Sequence, residues 1–360
     1  MNRSEFLYGG TALVATASVT DPFAPSPGAW RTFRLVTDLS FSREGAVQAW
    51  VPIPSFTQAS WMKPLRSEQS GNAAIVQVAK DPIWGAGFVH AQWPAGFPEN
   101  GAARTLRVTS YASTRDLAVD LQRPVRATAL AAAQRERYLA ATTFIPTDGI
   151  VKKTADTITA GATSDLEKAR RIYAWIIENT YRKASVRGCG LGNIDFLLET
   201  GDLGGKCADI NGLAVGLARA SGIPARDLFG VRVAPSRFGY KSLGANSPTI
   251  TKAQHCRAEF YLADYGWVPV DPADVRKVIL EEPPGNLAAN NPKVIDARET
   301  LFGAWEGNYV AYNDGHDIAL PGSSGKPVPF LMYPQAEVDG QRLDSLDAAH
   351  FVYEIHSASG

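Results

Sequence analysis

Apolar and polar residues alternate with a period of two over the first third of the chain. Because successive side chains of a strand point to opposite faces of a sheet, this alternation predicts short strands separated by turns. The predicted strands are residues 32–37, 47–53, 74–78, 88–93 and 105–111. No helical pattern separates them, so we predict an all-β, sandwich-like domain over residues 29–115.

The pattern becomes helical near residue 116. Residues 127–140 and 150–160 have helical composition. Ser164 and Glu167 then form a capping box, and the residues after them are apolar at the i, i+3, i+4 and i+7 positions. That spacing predicts an amphipathic helix with one buried face.

A second set of patterns follows a glycine-rich loop. Cys207 begins a helix, directly after a turn of two glycines and a lysine. Residues 228–233, 255–262 and 267–270 are predicted strands, and the long segment 234–253 between the first two is a predicted loop. Loops of this length often carry function.

The last part of the chain has fewer clear patterns. Residues 330–333 and 350–356 are predicted strands, and Asp339 with Gly340 is typical of a hairpin turn. We therefore predict a β-containing C-terminal extension over residues 281–360, packed on the preceding domain.

The first 28 residues are predicted to be a signal peptide and linker. Arg3 precedes a short apolar stretch, 7–19, that contains an A-x-A pattern at 15–17. The start resembles a twin-arginine signal, but Ser4 stands where the second arginine belongs, so the general secretory route stays open. We expect an exported, periplasmic protein with no stable membrane insertion after cleavage of the signal.

Composition and charge narrow the classes of partner. The 36 Lys and Arg residues balance the 36 Asp and Glu residues, and no stretch is both basic and amphipathic. Neither nucleic acid nor a membrane surface is therefore an expected partner. The three cysteines are too few for a disulfide scaffold, and no His/Cys pair has structural-zinc spacing, so we expect no metal and no cofactor. The sequence does not specify an oligomeric state.

Cys207 is the candidate nucleophile. The start of a helix offers unpaired N–H groups and a partial positive charge, and both favour a thiolate. The same N–H groups can stabilise an oxyanion. Lys206, the preceding residue, adds positive charge.

His255 and Asp271 are the candidate partners of this thiol. Strand alternation places His255 on a polar face and Cys256 on the opposite, apolar face, so Cys256 is a predicted packing residue. Asp271 ends the next strand, where its carboxylate can hold the second ring N–H of the histidine. We prefer it to Asp274, which we expect to stabilise a turn or a helix start. Cysteine, histidine and aspartate together predict covalent acyl transfer.

Four ordered motifs resemble the transglutaminase-like core, including its exported bacterial members described as candidate cysteine proteases. They are residues 205–209, 220–226, 254–260 and 265–272, and the resemblance covers residues 135–277. It implies a papain-like α+β catalytic core over residues 116–280, with the cysteine helix packed on an antiparallel sheet that carries the histidine and the aspartate. It also implies Cys207 as nucleophile, His255 as acid and base, and Asp271 as the orienting carboxylate.

Two further roles stay open. Family members use an aromatic residue upstream of the cysteine as a second oxyanion donor, so the resemblance implies Tyr181, with Asn193 and Gln254 as alternatives. Cys189 is a free thiol, a disulfide partner of Cys256 or a residue that lines the site, and we favour a structural role.

The predicted function is cysteine-dependent acyl transfer on peptide or protein amide bonds, through a thioester intermediate. Water as the acceptor gives a peptidase or amidase, which we favour because of the bacterial branch that the chain resembles. A lysine-type amine as the acceptor gives a transglutaminase that crosslinks proteins. The alternative from a different class is a non-catalytic exported binding module. A metal-dependent hydrolase is the remaining possibility.

Overall fold

The computed structural model describes residues 22–42, 44–98 and 101–360. The apolar stretch and cleavage pattern of the predicted signal peptide lie outside the described residues. Within the described part of the chain, no helix is long and apolar enough to cross a bilayer.

Strands alone make up the first part of the fold. In chain order they are β1 Arg31–Phe41, β2 Val47–Pro52, β3 Met62–Gly71, β4 Ile75–Lys80, β5 Gly87–Trp93, β6 Arg104–Thr114 and β7 Leu117–Ala118. The five strands predicted from alternation are confirmed as β1, β2, β4, β5 and β6. Strand β3 was not predicted, because most of its side chains are polar and exposed and its ladder is interrupted by a register shift between Pro64 and Ser67.

Helices dominate the middle of the chain. In order, the elements are α1 Ala132–Arg137, α2 Gly149–Thr159, α3 Asp165–Asn179, β8 Tyr181–Arg182, α4 Ile194–Thr200, β9 Gly204–Gly205, α5 Cys207–Ala220, β10 Ala225–Arg232, β11 Gln254–Leu262, β12 Gly266–Val270 and α6 Pro272–Glu281. The predicted cap of α3 is confirmed, since Ser164 Oγ accepts a hydrogen bond from the Glu167 N–H at 3.2 Å. Helix α1 is shorter than the predicted 127–140, because it buries no residue that would stabilise a longer helix.

The last part of the chain mixes short strands with one helix. The elements are α7 Pro292–Thr300, β13 Ala304–Trp305, β14 Tyr309–Asn313, β15 His316–Ile318, β16 Val328–Phe330, β17 Gln335–Val338, β18 Gln341–Arg342 and β19 Val352–Ser359. The predicted turn at Asp339 and Gly340 joins β17 to β18. Helix α7 was missed, although Asn291 caps it and a proline occupies its first turn.

Two antiparallel sheets face each other across a shared apolar cluster. Their strand orders are β19-β1-β6-β3 and β18-β17-β2-β5-β4. The cluster takes side chains from both sheets, among them Leu39 and Val108 from one and Val89 and Ala336 from the other. This arrangement is a β-sandwich, and its strands β17, β18 and β19 come from the last part of the chain.

A third antiparallel sheet, in the order β12-β11-β10-β14, supports the candidate site. Helix α5 packs on β10 and β11 and is buried along its whole length. The mixed helix and sheet class predicted from the resemblance is confirmed. The domain boundaries at residues 115 and 280 stay a prediction, and strand pairing crosses both of them, since β1 pairs with β19 and β14 pairs with β10.

Candidate active site

Cys207 is the first residue of α5 and lies at the floor of a cavity. Only 4% of its surface is exposed, yet it lines a pocket of about 720 Å³ together with His255. A helix N-terminus at this position directs unpaired N–H groups and a partial positive charge toward the thiol. The predicted position of the cysteine at the helix start is therefore confirmed.

Asp209 ties the preceding glycine-rich loop to the start of α5. Its carboxylate accepts hydrogen bonds from the backbone N–H groups of Gly192 at 2.9 Å, Leu191 at 3.1 Å and Lys206 at 3.0 Å. Gly190 has a φ of +87°, and a Cβ at that position would lie 1.8 Å from the Asp209 carboxylate. The loop can therefore approach the helix only because glycine occupies this position.

His255 and Asp271 form a buried pair. His255 Nε2 lies 2.8 Å from Asp271 Oδ2, and the two side chains are 4% and 0% exposed. The pair forms because β11 and β12 are neighbouring antiparallel strands and Asp271 follows the end of β12. Since the carboxylate engages Nε2, Nδ1 is the ring nitrogen left for proton exchange with another group.

Asn211, which was not predicted as a site residue, holds the Asp271 carboxylate from the other side. It lies one helical turn after Cys207 in α5, and its Nδ2 donates to Asp271 Oδ1 at 3.0 Å and to the Cys256 carbonyl at 2.8 Å. Its Oδ1 accepts from the Ala273 N–H at 3.0 Å. One amide therefore connects the cysteine helix, the histidine strand and the start of α6. An amide side chain in the middle of a mostly apolar helix was the sequence signal for it.

Asp274 lies in the first turn of α6, as predicted for a residue at a helix start, but its carboxylate also faces the site. Asp271, rather than Asp274, caps helix α6 by accepting a hydrogen bond from the Asp274 N–H at 3.1 Å. The Asp274 carboxylate instead receives two hydrogen bonds from Arg232, at 2.6 and 2.7 Å. Its Oδ1 also lies 3.5 Å from His255 Nε2, so two carboxylates face the same imidazole.

These charges shift the acid–base properties of the site. Burial lowers the pKa of His255, but the attraction of Asp274 and Asp271 for the imidazolium outweighs burial, and the pKa is raised. Burial and repulsion from Asp274 raise the pKa of Asp271. Burial opposes ionisation of Asp274 too, but Arg232 outweighs it and holds the pKa of this carboxyl below its usual range. The site therefore favours a charged imidazolium next to a negative carboxylate.

The predicted polar face of β11 is buried rather than exposed. Arg257 donates to the Glu306 carbonyl at 2.9 Å, and Glu259 pairs with Arg226. This face is covered because β11 lies inside the sheet and tryptophans pack over it, with Trp61 Nε1 donating to Glu259 at 3.0 Å. Cys256 is buried as predicted.

Three thiols lie close together, and two of them, Cys189 and Cys207, line the pocket. The sulfur atoms of Cys189, Cys207 and Cys256 lie within 4.8 Å of one another, and all three cysteines are free. Cys189 lines the pocket and is a free thiol, so it forms no disulfide with Cys256. Burial raises the pKa of the Cys256 thiol well above its usual value.

Two groups of side chains have spacings compatible with a metal ion. Thiolates are soft ligands that suit zinc or copper(I), and the three sulfur atoms are close enough to share one ion. His255, Asp271 and Asp274 form the second group. Their ligand atoms are already engaged, because Arg232 donates to both oxygens of Asp274 and His255 is bonded to Asp271.

The three residues considered as second oxyanion donors lie in different places. Gln254 lines the pocket, and its buried Nε2 has no hydrogen-bond partner among the described residues. Tyr181 and Asn193 are not among the residues that line the pocket. The Tyr181 hydroxyl donates to Asp202 Oδ1 at 2.7 Å, and Asn193 precedes helix α4.

The helix-borne cysteine, the neighbouring histidine strand and the carboxylate at the next strand end define a papain-like α+β thiol site. The family model described as the transglutaminase-like superfamily matches residues 152–272, which include all three of these residues. A protein of Haemophilus influenzae is 37% identical over 329 residues, covering 87% of this chain and 86% of the relative. The chain belongs to the transglutaminase-like superfamily.

A solved structure shows the same fold at lower identity. The crystal structure of a candidate cysteine protease from Cytophaga hutchinsonii has a TM-score of 0.56 and 12% identity, and the match covers 93% of each chain. The periplasmic domain of TgpA from Pseudomonas aeruginosa has a TM-score of 0.33 and 17% identity over 69% of this chain and 88% of that one. The first match extends the similarity of fold beyond residues 152–272 to the sandwich.

Proposed function

We propose that the protein is a cysteine-dependent acyl-transfer enzyme that hydrolyses peptide or protein amide bonds. Cys207, His255 and Asp271 form the proposed triad. The observation that carries this proposal is the buried His255–Asp271 pair, which opens onto the same cavity as a cysteine at a helix N-terminus. That combination provides a nucleophile, a proton carrier and a group that orients the carrier.

The proposed reaction has two stages. The Cys207 thiolate attacks the amide carbonyl, and the proton held by the His255 imidazolium passes to the leaving amine as the carbon–nitrogen bond breaks. Water then attacks the thioester, giving its proton to His255, and the carboxylic acid leaves as the thiolate re-forms. Asp271 keeps the imidazole oriented through Nε2 in both stages.

Gln254 is the proposed side-chain donor to the oxyanion, in place of Tyr181. Its Nε2 is a buried donor without a partner beside the reacting pair, and such a group costs stability unless a ligand satisfies it. The Cys207 backbone N–H at the start of α5 is the second proposed donor. Asn193 has no proposed part in the reaction.

Alkylation tests the nucleophile. Iodoacetamide is expected to label Cys207 in the native protein, identified by mass spectrometry of the modified peptide, and the Cys207→Ala variant is expected to lose that label and all activity. Cys189→Ala is the matched control, because it removes another thiol of the same pocket. Equal labelling of the native protein and Cys207→Ala, at other cysteines, would favour the binding-module alternative.

A mixed peptide library tests the reaction class. Acyl-enzyme adducts on Cys207 and shortened peptides in solution are expected from hydrolysis. Added primary amines that appear in the products in place of water would indicate the transglutaminase alternative. Activity that survives Cys207→Ala but is lost on chelation would contradict the proposal and favour a metal-dependent hydrolase.

Export to the periplasm is part of the proposal and depends on the N-terminal sequence. Cell fractionation and determination of the mature N-terminus test it. A protein that keeps residues 1–21 and stays in the cytoplasm would contradict it.

A further inference from the structure

Basic side chains concentrate in the pocket above Cys207. Although the chain has equal numbers of basic and acidic residues, no Asp or Glu occurs among the described residues that line this pocket. The basic residues that line it are Arg182, Arg187, Lys206, Arg232, Lys252 and Lys277. The positive charge is therefore a local property of the cavity rather than a consequence of composition.

Carboxylates that lie near the pocket but do not line it neutralise only part of this positive charge. Arg232 pairs with Asp274 at 2.6 Å, and Arg187 pairs with Asp344 at 2.7 Å. Glu281 is shared, since it pairs with Arg182 and lies 3.8 Å from Lys277. Three carboxylates therefore accompany four of the basic residues, and the pocket keeps an excess of positive charge.

Lys206 and Lys252 carry most of the uncompensated charge. Neither forms an ion pair within the part of the chain that the structure describes. Lys206 directly precedes Cys207, and Lys252 lies three residues before His255 in the loop that leads into β11. The two lysines therefore line the pocket from two different segments, each next to one member of the reacting pair in the chain.

We propose that this pocket selects acyl donors that carry a carboxylate next to the scissile amide. This inference rests on the proposed function and names its substrate class. The carboxylate belongs to an Asp or Glu side chain or to a free peptide C-terminus, and both would meet Lys206 and Lys252 without an internal carboxylate to displace. Positive charge in a concave, partly dry site also raises the local concentration of anionic substrates.

Two alkylating agents of similar size and different charge test the local potential without knowledge of the substrate. Iodoacetate is anionic and iodoacetamide is neutral, and the rate of each at Cys207 is divided by its rate with a neutral cysteine peptide. We expect the normalised rate for iodoacetate to exceed that for iodoacetamide by about fivefold or more, the effect of a unit charge at roughly 8 Å in a partly solvated site. The excess is expected to shrink in 0.5 M salt, where screening acts within about 4 Å.

Variants assign the effect to the two lysines. Lys206→Gln and Lys252→Gln are each expected to lower the iodoacetate excess by about twofold. Because Lys206 directly precedes the nucleophile, only the ratio of the two normalised rates is compared for its variant, whereas Lys252→Gln is expected to change the iodoacetamide rate little. Lys153→Gln is the matched control, because Lys153 is exposed on α2 and does not line the pocket. The inference would be overturned if the normalised rates for iodoacetate and iodoacetamide were equal in the native protein. It would also be overturned if neither pocket variant changed the ratio of these two rates.

The same data separate failure of this inference from failure of the proposed function. A Cys207 that neither reagent modifies contradicts the proposed nucleophile. A Cys207 that iodoacetamide modifies without any preference for iodoacetate contradicts only the charge selection. Two pairs of peptides then identify which carboxylate the pocket recognises: one pair differs by Glu against Gln, and the other by a free against an amidated C-terminus. In the pair that carries the recognised carboxylate, the neutral peptide is expected to have a kcat/KM about fivefold lower than the charged one. A kcat/KM that is the same for the charged and the neutral peptide in both pairs would contradict the inference.

Discussion

Asn211 Nδ2 lies 3.0 Å from Asp271 Oδ1, so the cysteine helix holds the carboxylate that orients the histidine. The same Nδ2 reaches the Cys256 carbonyl, next to His255 in the chain. Movement of α5 is therefore coupled to the position of the imidazole, although Asn211 contacts no reacting atom in the proposed reaction.

Asn211→Ala is expected to lower kcat at least tenfold with little change in KM, because the carboxylate loses one of the donors that fix it. The variant also leaves the Cys256 carbonyl and the Ala273 N–H without this partner, and we expect it to lose about 1–3 kcal/mol of stability. Asn179→Ala is the matched control, since Asn179 is an exposed amide on α3 that bonds only its own helix. A purely structural role would lower stability and leave the pH profile of kcat unchanged, whereas a positioning role shifts it.

Asp271→Asn and Asp274→Asn separate the two carboxylates that face His255. Asp271→Asn is expected to reduce kcat roughly a thousandfold or more, because an amide no longer favours the imidazolium or its orientation. Asp274→Asn is expected to reduce kcat far less and stability more, by about 3–5 kcal/mol, since Arg232 is left as an unpaired buried charge. Single-turnover rates and thermal unfolding measure the two effects. The reverse order of activity losses would assign the orienting role to Asp274.

His255 gives a pH dependence of stability with a defined sign. Burial lowers its pKa, but Asp274 and Asp271 together raise it above the ordinary value of 6.5. A histidine with a raised folded-state pKa stabilises the protein fully below its unfolded pKa, and this stabilisation is lost as pH rises through the folded pKa. The difference in unfolding free energy between the native protein and His255→Gln should therefore be largest at about pH 6 and smaller at alkaline pH. A difference that grows with pH would mean that the imidazole is neutral in the folded state.

Gly190→Ala is expected to disrupt the loop before Cys207. The new Cβ would meet the Asp209 carboxylate at 1.8 Å and would also strain a backbone with φ of +87°. Gly161→Ala is the matched control, because its φ is +73° and its Cβ would have no neighbour within 4 Å. Both variants carry the backbone strain, about 1–2 kcal/mol, so any further loss of stability and of Cys207 alkylation in Gly190→Ala comes from the collision. Equal losses in the two variants would exclude it.

The sequence was sufficient for elements whose side-chain pattern is set locally. The alternation of β1 and β6 and the capped, amphipathic α3 depend on neighbouring residues, and these predictions are confirmed. The burial of the polar face of β11 depends on partners far along the chain, such as Trp61 and Glu306. Strand β3 is mostly polar and exposed, and it is a strand because it pairs with β6. Periodicity within one segment contains no information about such partners.

In the candidate site, too, only the features set by neighbouring residues could be predicted from the sequence. The position of Cys207 at a helix start and of Asp271 at a strand end could be predicted from caps and turns. The roles of Asn211 and Arg232 could not, because each acts on a carboxylate that lies many residues away and becomes its neighbour only after β10, β11 and α5 assemble. Resemblance to the family implied Tyr181 as an oxyanion donor, but its hydroxyl donates a hydrogen bond to Asp202 and Tyr181 does not line the pocket.

Strand β19 pairs with β1 over eight consecutive positions, and β14 completes the sheet that carries His255. Cutting the chain after α6 would remove β14, β17 and β19 together, leaving unsatisfied edges on all three large sheets at once. We therefore expect that a fragment ending after α6 would not fold into the thiol site. The site should form only after the whole polypeptide from β1 through β19 has been synthesised and these strands have paired.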